Sequence, residues 1–411
     1  MPPRIVLWVA FALVHLWLVV VNLGGPGYPL GDVQWVYPRW VEAGLSQGSW
    51  VGIDVPWVYP LLALVPIVAA SLAGAAAYPV LWLTLVTALD AVAFGMLLDS
   101  DEPARPRTTA AGGWLVFLVL LGPIALGRID AVAVAVAVIA LVLLGARPAL
   151  AGVLLAAAAW VKVWPAALVA AALVALPRRR AILAGAAGLT VGVLAVALLL
   201  GAGGNVLSFV TEQTGRGLQA EAPAATPLLI GGALGGAWRP YYDTDILTWQ
   251  VSGPGVEQVA AASTLLLVLV VLGILLVGGR AARRGVDPTR LLPTLALALV
   301  MALIVCNKVG SPQFVAWIAA PVLCGVLLLG PRLRDGFGVP ALAALAIAAL
   351  TQAIYPFFYG ELLALQPAML GVLAARNLLG VAVLVWAVRR LVQLARHAAP
   401  VREPLPEGAP T

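Results

Sequence analysis

Charge is what this sequence holds least of. Asp, Glu, Lys and Arg make up 10% of its 411 residues, against 63% hydrophobic ones, and a water-soluble globule of this length needs far more polar surface than that. The shortage excludes such a globule and leaves an integral membrane protein. Histidine and cysteine are scarcer still, with two of each. Cys306 and Cys324 lie on successive apolar segments with neither metal-ligand nor redox spacing, so they read as packing residues. There is no glycine-rich phosphate loop, and no clustering of carboxylates that would obviously bind a divalent metal. Lysine is nearly absent: among 24 basic residues only Lys162 and Lys308 are lysines.

What the chain does hold is apolar length. Thirteen apolar segments run from 4–23 to 367–388, and most are long enough for a helix to cross the hydrocarbon core. The expected fold is an all-α polytopic bundle occupying residues 1–397, followed by a disordered cytoplasmic tail at 398–411. The first run has no convincing cleavage site and is too long for a signal-peptide core, so it reads as a retained span. Arginine clusters around Arg105, Arg147, Arg180, Arg280, Arg332 and Arg389 occupy alternate loops. That is the positive-inside pattern, and it accounts for the net charge of +6 without any nucleic-acid partner. A cytoplasmic C-terminus and Arg4 inside require an even number of crossings, so 58–76 is expected to be broken or re-entrant, leaving about twelve full spans.

The loops between the arginine clusters then face outward. Two are long, 24–57 and 203–258, and both are rich in tryptophan and tyrosine, as segments at the membrane interface are. Both lysines end spans on this face, in "AAWVKVWPAAL" and "CNKVGSPQFVAW". The positive-inside rule disfavours cations there, and lysine binds phosphate as a point charge, so the pair suggests a phosphate or pyrophosphate site. The alternative is that they snorkel from ordinary helix ends. Arg128 shares the outward face and either joins them or pairs with Asp130. Asp32 and Asp54 are outward carboxylates that can act as a general base on a sugar hydroxyl or simply cap their loop. Asp90, His15 and Arg376 are lone intramembrane polar residues with structural roles expected.

In order along the chain stand Asp32 with Val36 and Tyr37, "VYPLLAL" at 58–64, "GRIDAV" at 127–132, "AAWVKVWPA" at 158–166 and "NKVGSPQFVAW" at 307–317. This succession resembles the GT-C superfamily of polyprenyl-phosphate-sugar-dependent membrane glycosyltransferases. Within it, the chain is most similar to glycosyltransferase family 87, whose actinobacterial members include alpha-1,2-mannosyltransferases of phosphatidylinositol mannoside synthesis. Three positions depart from the family pattern: Leu61 in place of a proline, Arg128 where the family often has glutamine, and Asp130 where it has asparagine.

The resemblance implies a GT-C-like bundle that takes its sugar, mannose in the nearest members, from a polyprenyl-phosphate donor. Transfer would go with inversion to a lipid or glycan acceptor on the outer face of the cytoplasmic membrane, without cofactor or metal. It points to Asp32 as base, with Asp54 as its rival or as a sugar ligand. Lys162, Lys308 and Arg128 would hold the donor phosphate. Tyr37, Arg39, Trp57, Tyr59, Asp130 and Gln313 would line the substrate site. A lipid or small-solute transporter, or a non-catalytic envelope-assembly protein, is the alternative.

Overall fold

The structure is a computed structural model that describes residues 3–99, 105–334 and 336–397; the tail expected at 398–411 lies outside the described residues. Among these, nine helices are long and apolar enough to cross a membrane: Arg4–Gly24, Ala75–Leu98, Pro106–Ala125, Arg179–Leu199, Val256–Arg283, Pro288–Val305, Pro312–Leu329, Gly338–Phe357 and Pro367–His397. Three shorter apolar helices, Ile129–Leu143, Pro148–Val161 and Ala166–Ala175, complete an all-α polytopic membrane protein. The segment at 58–76 is broken, as its prolines require: a tight turn at Leu61–Ala63 leads into the helix Leu64–Ala69, far too short to cross.

Contacts between loops sort the helix ends into two groups. At one end Arg178 donates to the Gly145 carbonyl at 3.3 Å, Arg284 to that of Ala395 at 2.7 Å, and Arg107 to that of Asp99 at 3.2 Å. Each of these arginines thus holds the end of another helix. At the other end Asn22 donates to the Pro123 carbonyl at 3.1 Å and Gly310 N–H to the Gln219 side chain at 3.1 Å. Burial separates centre from periphery. The helices Pro288–Val305 and Pro312–Leu329 are 67% and 78% buried, whereas Val256–Arg283 is 17% buried and turns its leucines and valines outward. In lipid that outward face needs no cover, because a helix apolar all round satisfies its backbone internally.

The three short helices matter most for the site. At 1.5 Å per residue they are about 22, 21 and 15 Å long, less than the ~30 Å of the hydrocarbon core. None of them crosses that thickness alone, and Arg128, Asp130 and Lys162 stand at the ends of two of them.

Both long segments between the spans, 24–57 and 203–258, are structured. The first contains a helix from Asp32 to Gln47. The second contains Ser208–Thr214, Thr226–Ala233 and an antiparallel hairpin, Arg239–Asp243 with Thr248–Ser252, in which Tyr242 faces Trp249.

Intramembrane polar groups find partners, as burial demands. His15 donates from Nδ1 to the Phe11 carbonyl at 3.0 Å, and its Nε2 lies 3.2 Å from Asp90 Oδ2. Arg376 pairs with Glu221 at 3.0 Å. Small residues set the closest helix approach: a side chain on Gly152 would run into the Ile182 carbonyl, and one on Gly185 into that of Ala149. Such glycines let helices meet where lipid supplies no hydrophobic drive between them. Gly185→Leu is therefore expected to cost about 1–3 kcal/mol by overpacking, read as a lower thermal midpoint in detergent. Gly188→Leu, on the same helix with open space around it, should leave that midpoint unchanged; equal effects at both positions would remove the packing argument.

Candidate active site

Asp32 opens its helix through a turn wider than an α-helical one. Residues Asp32–Val36 form it, and the Tyr37 N–H closes it on the Asp32 carbonyl before the regular helix Tyr37–Gln47 begins. Pro38 explains the widening, since its ring has no N–H to donate and would crowd the carbonyl four residues back. Asp32 is thereby held with its side chain 32% exposed and its Oδ2 3.3 Å from Arg128 Nε.

Arg128 stands in extended conformation just before the short helix Ile129–Leu143. Its guanidinium is almost fully engaged. Nη1 donates to the carbonyls of Pro29 and, at 2.8 Å, Gly127, while Nη2 donates to the Tyr355 hydroxyl at 3.1 Å. The helix start lacks a side-chain cap of its own. The Tyr37 hydroxyl supplies one, accepting from Ile129 N–H at 3.1 Å, and so satisfies one of the donors every helix N-terminus leaves open.

Asp130, in the first turn of that helix, is 1% exposed. Its Oδ1 accepts from Trp317 Nε1–H at 2.7 Å, and its Oδ2 lies 3.7 Å from Lys162 Nζ. Lys162 ends the second short helix, Pro148–Val161, in extended conformation. Its ammonium stands 4.4 Å from the centre of the Tyr59 ring, a cation–π contact worth ~0.5–2 kcal/mol. Trp317 is held in place by stacking on Phe314 at 4.0 Å and on Trp164 at 5.6 Å between ring centres.

Two ion pairs therefore meet at the start of the helix Ile129–Leu143, Asp32–Arg128 and Asp130–Lys162. Arg128 does not pair with Asp130, because positions two apart at a helix start point in different directions. Arg128 and Asp130 are also the charged departures from the family pattern, and each is the counter-ion of a residue that the pattern singles out.

Around them stands an aromatic wall. Trp40, Trp57 and Tyr59 meet edge to face at 5.4–5.9 Å. Burial, and after it the carboxylates of Asp32 and Asp130, push the Tyr59 phenol above its ordinary value. From the second segment the hairpin brings Tyr242 close enough to Asp32 that, after burial, this carboxylate is what raises its phenol.

The other expected residues distribute unevenly. Tyr37 is fully buried and Trp57 2% exposed, and the Tyr37 ring packs against Trp40 and Trp82. Asp54 is exposed, and its Oδ2 accepts from Trp50 N–H at 2.7 Å within its own turn. Arg39 is exposed on the helix Tyr37–Gln47, and Gln313 is half-buried at the start of the turn Pro312–Ile318. Neither ion pair includes Lys308. Its carbonyl accepts from Gln219 N–H at 3.0 Å, which places it on the seam between the second segment and 307–313, and desolvation pushes its ammonium down.

Three residues were not foreseen: Trp317, Tyr355 and Arg216. Arg216, in "TGRGLQ", carries a charge that acts on both Lys162 and Tyr59. The reasoning that selects outward lysines selects this outward arginine equally well. Trp317 and Tyr355 carry no such signal. Among the described residues no group of three or more His, Cys, Asp or Glu could hold a metal ion.

A helical membrane bundle with two ion pairs and an aromatic cluster beside them defines a polytopic membrane protein with a buried polar centre. A family model described as glycosyltransferase family 87 matches residues 57–306, more than half of the chain. The chain belongs to glycosyltransferase family 87 and is a membrane glycosyltransferase. The matched stretch includes Arg128, Asp130 and Lys162, while Asp32 precedes it and Lys308 follows it. No curated protein and no solved structure matches the chain.

Proposed function

We propose that this glycosyltransferase moves a sugar, mannose on the family resemblance, from a polyprenyl-phosphate donor to a hydroxyl of a lipid or glycan acceptor. The reaction runs with inversion at the outer face of the cytoplasmic membrane, and Asp32 is the general base. The observation that carries this reading is the placement of Asp32. Its carboxylate is one-third exposed and oriented by Arg128 through one oxygen, next to cations whose side chains are only 10% and 14% exposed. The arginine clusters on alternate loops support the outward orientation.

The chemistry is a single in-line displacement. The acceptor oxygen attacks the anomeric carbon, its proton passes to Asp32, and the bond from that carbon to the phosphate oxygen breaks, leaving its electron pair on polyprenyl phosphate. Lys162, Arg128 and Lys308 are the cations proposed to meet that charge, which fixed dipoles and cations stabilise without reorganising. Tyr59, Arg39, Asp130 and Gln313 complete the proposed substrate site.

Purified protein supplied with radiolabelled polyprenyl-phosphate-mannose and a lipid acceptor should form labelled product. Absence of transfer to any lipid-linked or glycan acceptor overturns the reading. Asp54 separates from Asp32 in the same assay. Because its carboxylate serves its own turn, Asp54→Asn should transfer within about twofold of wild type; a loss comparable to that of an Asp32 variant would return the base to Asp54.

A further inference from the structure

The members of the two ion pairs neutralise each other's charge, Asp32 with Arg128 and Asp130 with Lys162. Arg216 breaks the balance. Three residues before it, Gln213 donates from Nε2 to the carbonyl of Val58, the neighbour of Tyr59, at 3.3 Å, which brings this stretch to the same cluster, where the Arg216 charge bears on Lys162 and Tyr59; no carboxylate of the described residues stands within ion-pair distance of it. Its Nε is buried and has no hydrogen-bond partner. A guanidinium left with an unsatisfied buried donor is costly unless something else binds there.

The backbone around Arg216 is held on two sides. Leu218 and Ala220 pair with the hairpin, Val251 N–H donating to the Leu218 carbonyl at 2.9 Å and Ala220 N–H to that of Trp249 at 3.0 Å. Gln219 ties the same stretch to the lysine-bearing segment, accepting from Gly310 N–H at 3.1 Å and from the Ser311 hydroxyl at 3.0 Å. Gly217 permits the approach, because a side chain there would press on Gln250. The arginine is thus carried on a pinned loop.

We propose that Arg216 is the seat of the donor's phosphate, an anion-binding residue whose positive charge no carboxylate of the described residues pairs. The inference rests on the lipid-phosphate donor proposed above and adds a residue to its cations. The charges agree in sign. A sugar phosphodiester carries one negative charge, which one guanidinium matches. The departing phosphate monoester carries about −2, and the second charge is met as the reaction proceeds. When Asp32 takes the acceptor proton it ceases to neutralise Arg128, so the site gains one positive charge as the leaving group gains one negative. Guanidinium suits this seat because its fork matches phosphate oxygens in pairs.

The test is binding rather than turnover. The full chain in zwitterionic nanodiscs is titrated with a long-chain polyprenyl monophosphate, with the uncharged polyprenol of the same length, and with inorganic phosphate as competitor. Wild type, Arg216→Gln, Arg216→Lys and Asp32→Asn are compared, and thermal unfolding is used to show that each is folded. Arg216→Gln should bind the monophosphate at least about tenfold more weakly, the loss of a charge-assisted contact, while its polyprenol affinity stays at the wild-type value. Arg216→Lys should recover part of the loss, and Asp32→Asn should bind no more weakly than wild type. Competition by inorganic phosphate would identify the phosphate group itself as the ligand. Undiminished monophosphate binding by Arg216→Gln, or an equal loss for polyprenol, overturns the assignment. If wild type binds the monophosphate and transfers no sugar, the seat stands and the transferase reading of its substrate falls.

Discussion

Asp32→Asn is expected to lower the turnover of sugar transfer about 10²- to 10⁴-fold, the range over which a positioned general base contributes. The substitution keeps the shape of the side chain and an oxygen that can still accept from Arg128 Nε, which lies 3.3 Å from the native carboxylate. What it removes is the capacity to take a proton from the attacking hydroxyl. It also leaves Arg128 without its counter-charge from the outset, so the anionic donor should bind at least as well as in wild type. The signature is a large fall in kcat with no rise in donor KM, measured with labelled polyprenyl-phosphate sugar at saturating acceptor. Asp32→Ala should match it in kcat while also freeing the guanidinium. Turnover at the wild-type rate by both variants would remove Asp32 from the chemistry.

Glu221→Ala is expected to destabilise the fold by ~3–5 kcal/mol, the penalty for leaving one member of a buried ion pair alone. Glu221 and Arg376 meet at 3.0 Å with side chains 5% and 6% exposed. The guanidinium further donates to the Glu221 carbonyl at 2.6 Å and to Asn377 Oδ1 at 2.9 Å, and Asn377 donates to the Thr226 hydroxyl at 2.8 Å. This network fastens the second long segment to the helix Pro367–His397. Replacing the whole pair, Glu221→Leu with Arg376→Met, should recover most of the loss, because no charge is then stranded in an apolar surround. The measurement is the thermal midpoint of the detergent-solubilised protein without substrate. A single variant as stable as wild type would show that the pair carries no structural weight. Since Gln219 and Arg216 lie on the same segment, the single variant should also loosen the site.

Much of the fold was legible in the sequence because the signals that define it are local. A run of twenty apolar residues declares a span wherever it lies, and arginine clusters on alternate loops declare its direction. The break at 58–76 followed from counting passes, and Pro60 and Pro66 sit where the chain turns and shortens. Helical structure inside 24–57 was not foreseen, since its residues are polar and aromatic without a clear period. The short helix ends were half legible: "GRIDAV" and "AAWVKVWPA" mark Arg128, Asp130 and Lys162 as unusual, but not which partner each takes.

The sequence by itself determined that this is a polytopic helical membrane protein, a member in pattern of family 87. It singled out Asp32 and Lys162 by chemistry that membranes disfavour. Only the tertiary structure decided the pairing. Asp130 receives the indole of Trp317 from 187 residues away, Arg128 turns to Asp32 and to Tyr355, 227 residues on, and Arg216 arrives on a loop pinned by the hairpin. Hydropathy and proline act on the residues beside them. Ion pairs and hydrogen bonds act through a few ångströms of space, and which residues share that space is set by how helices of unequal length pack.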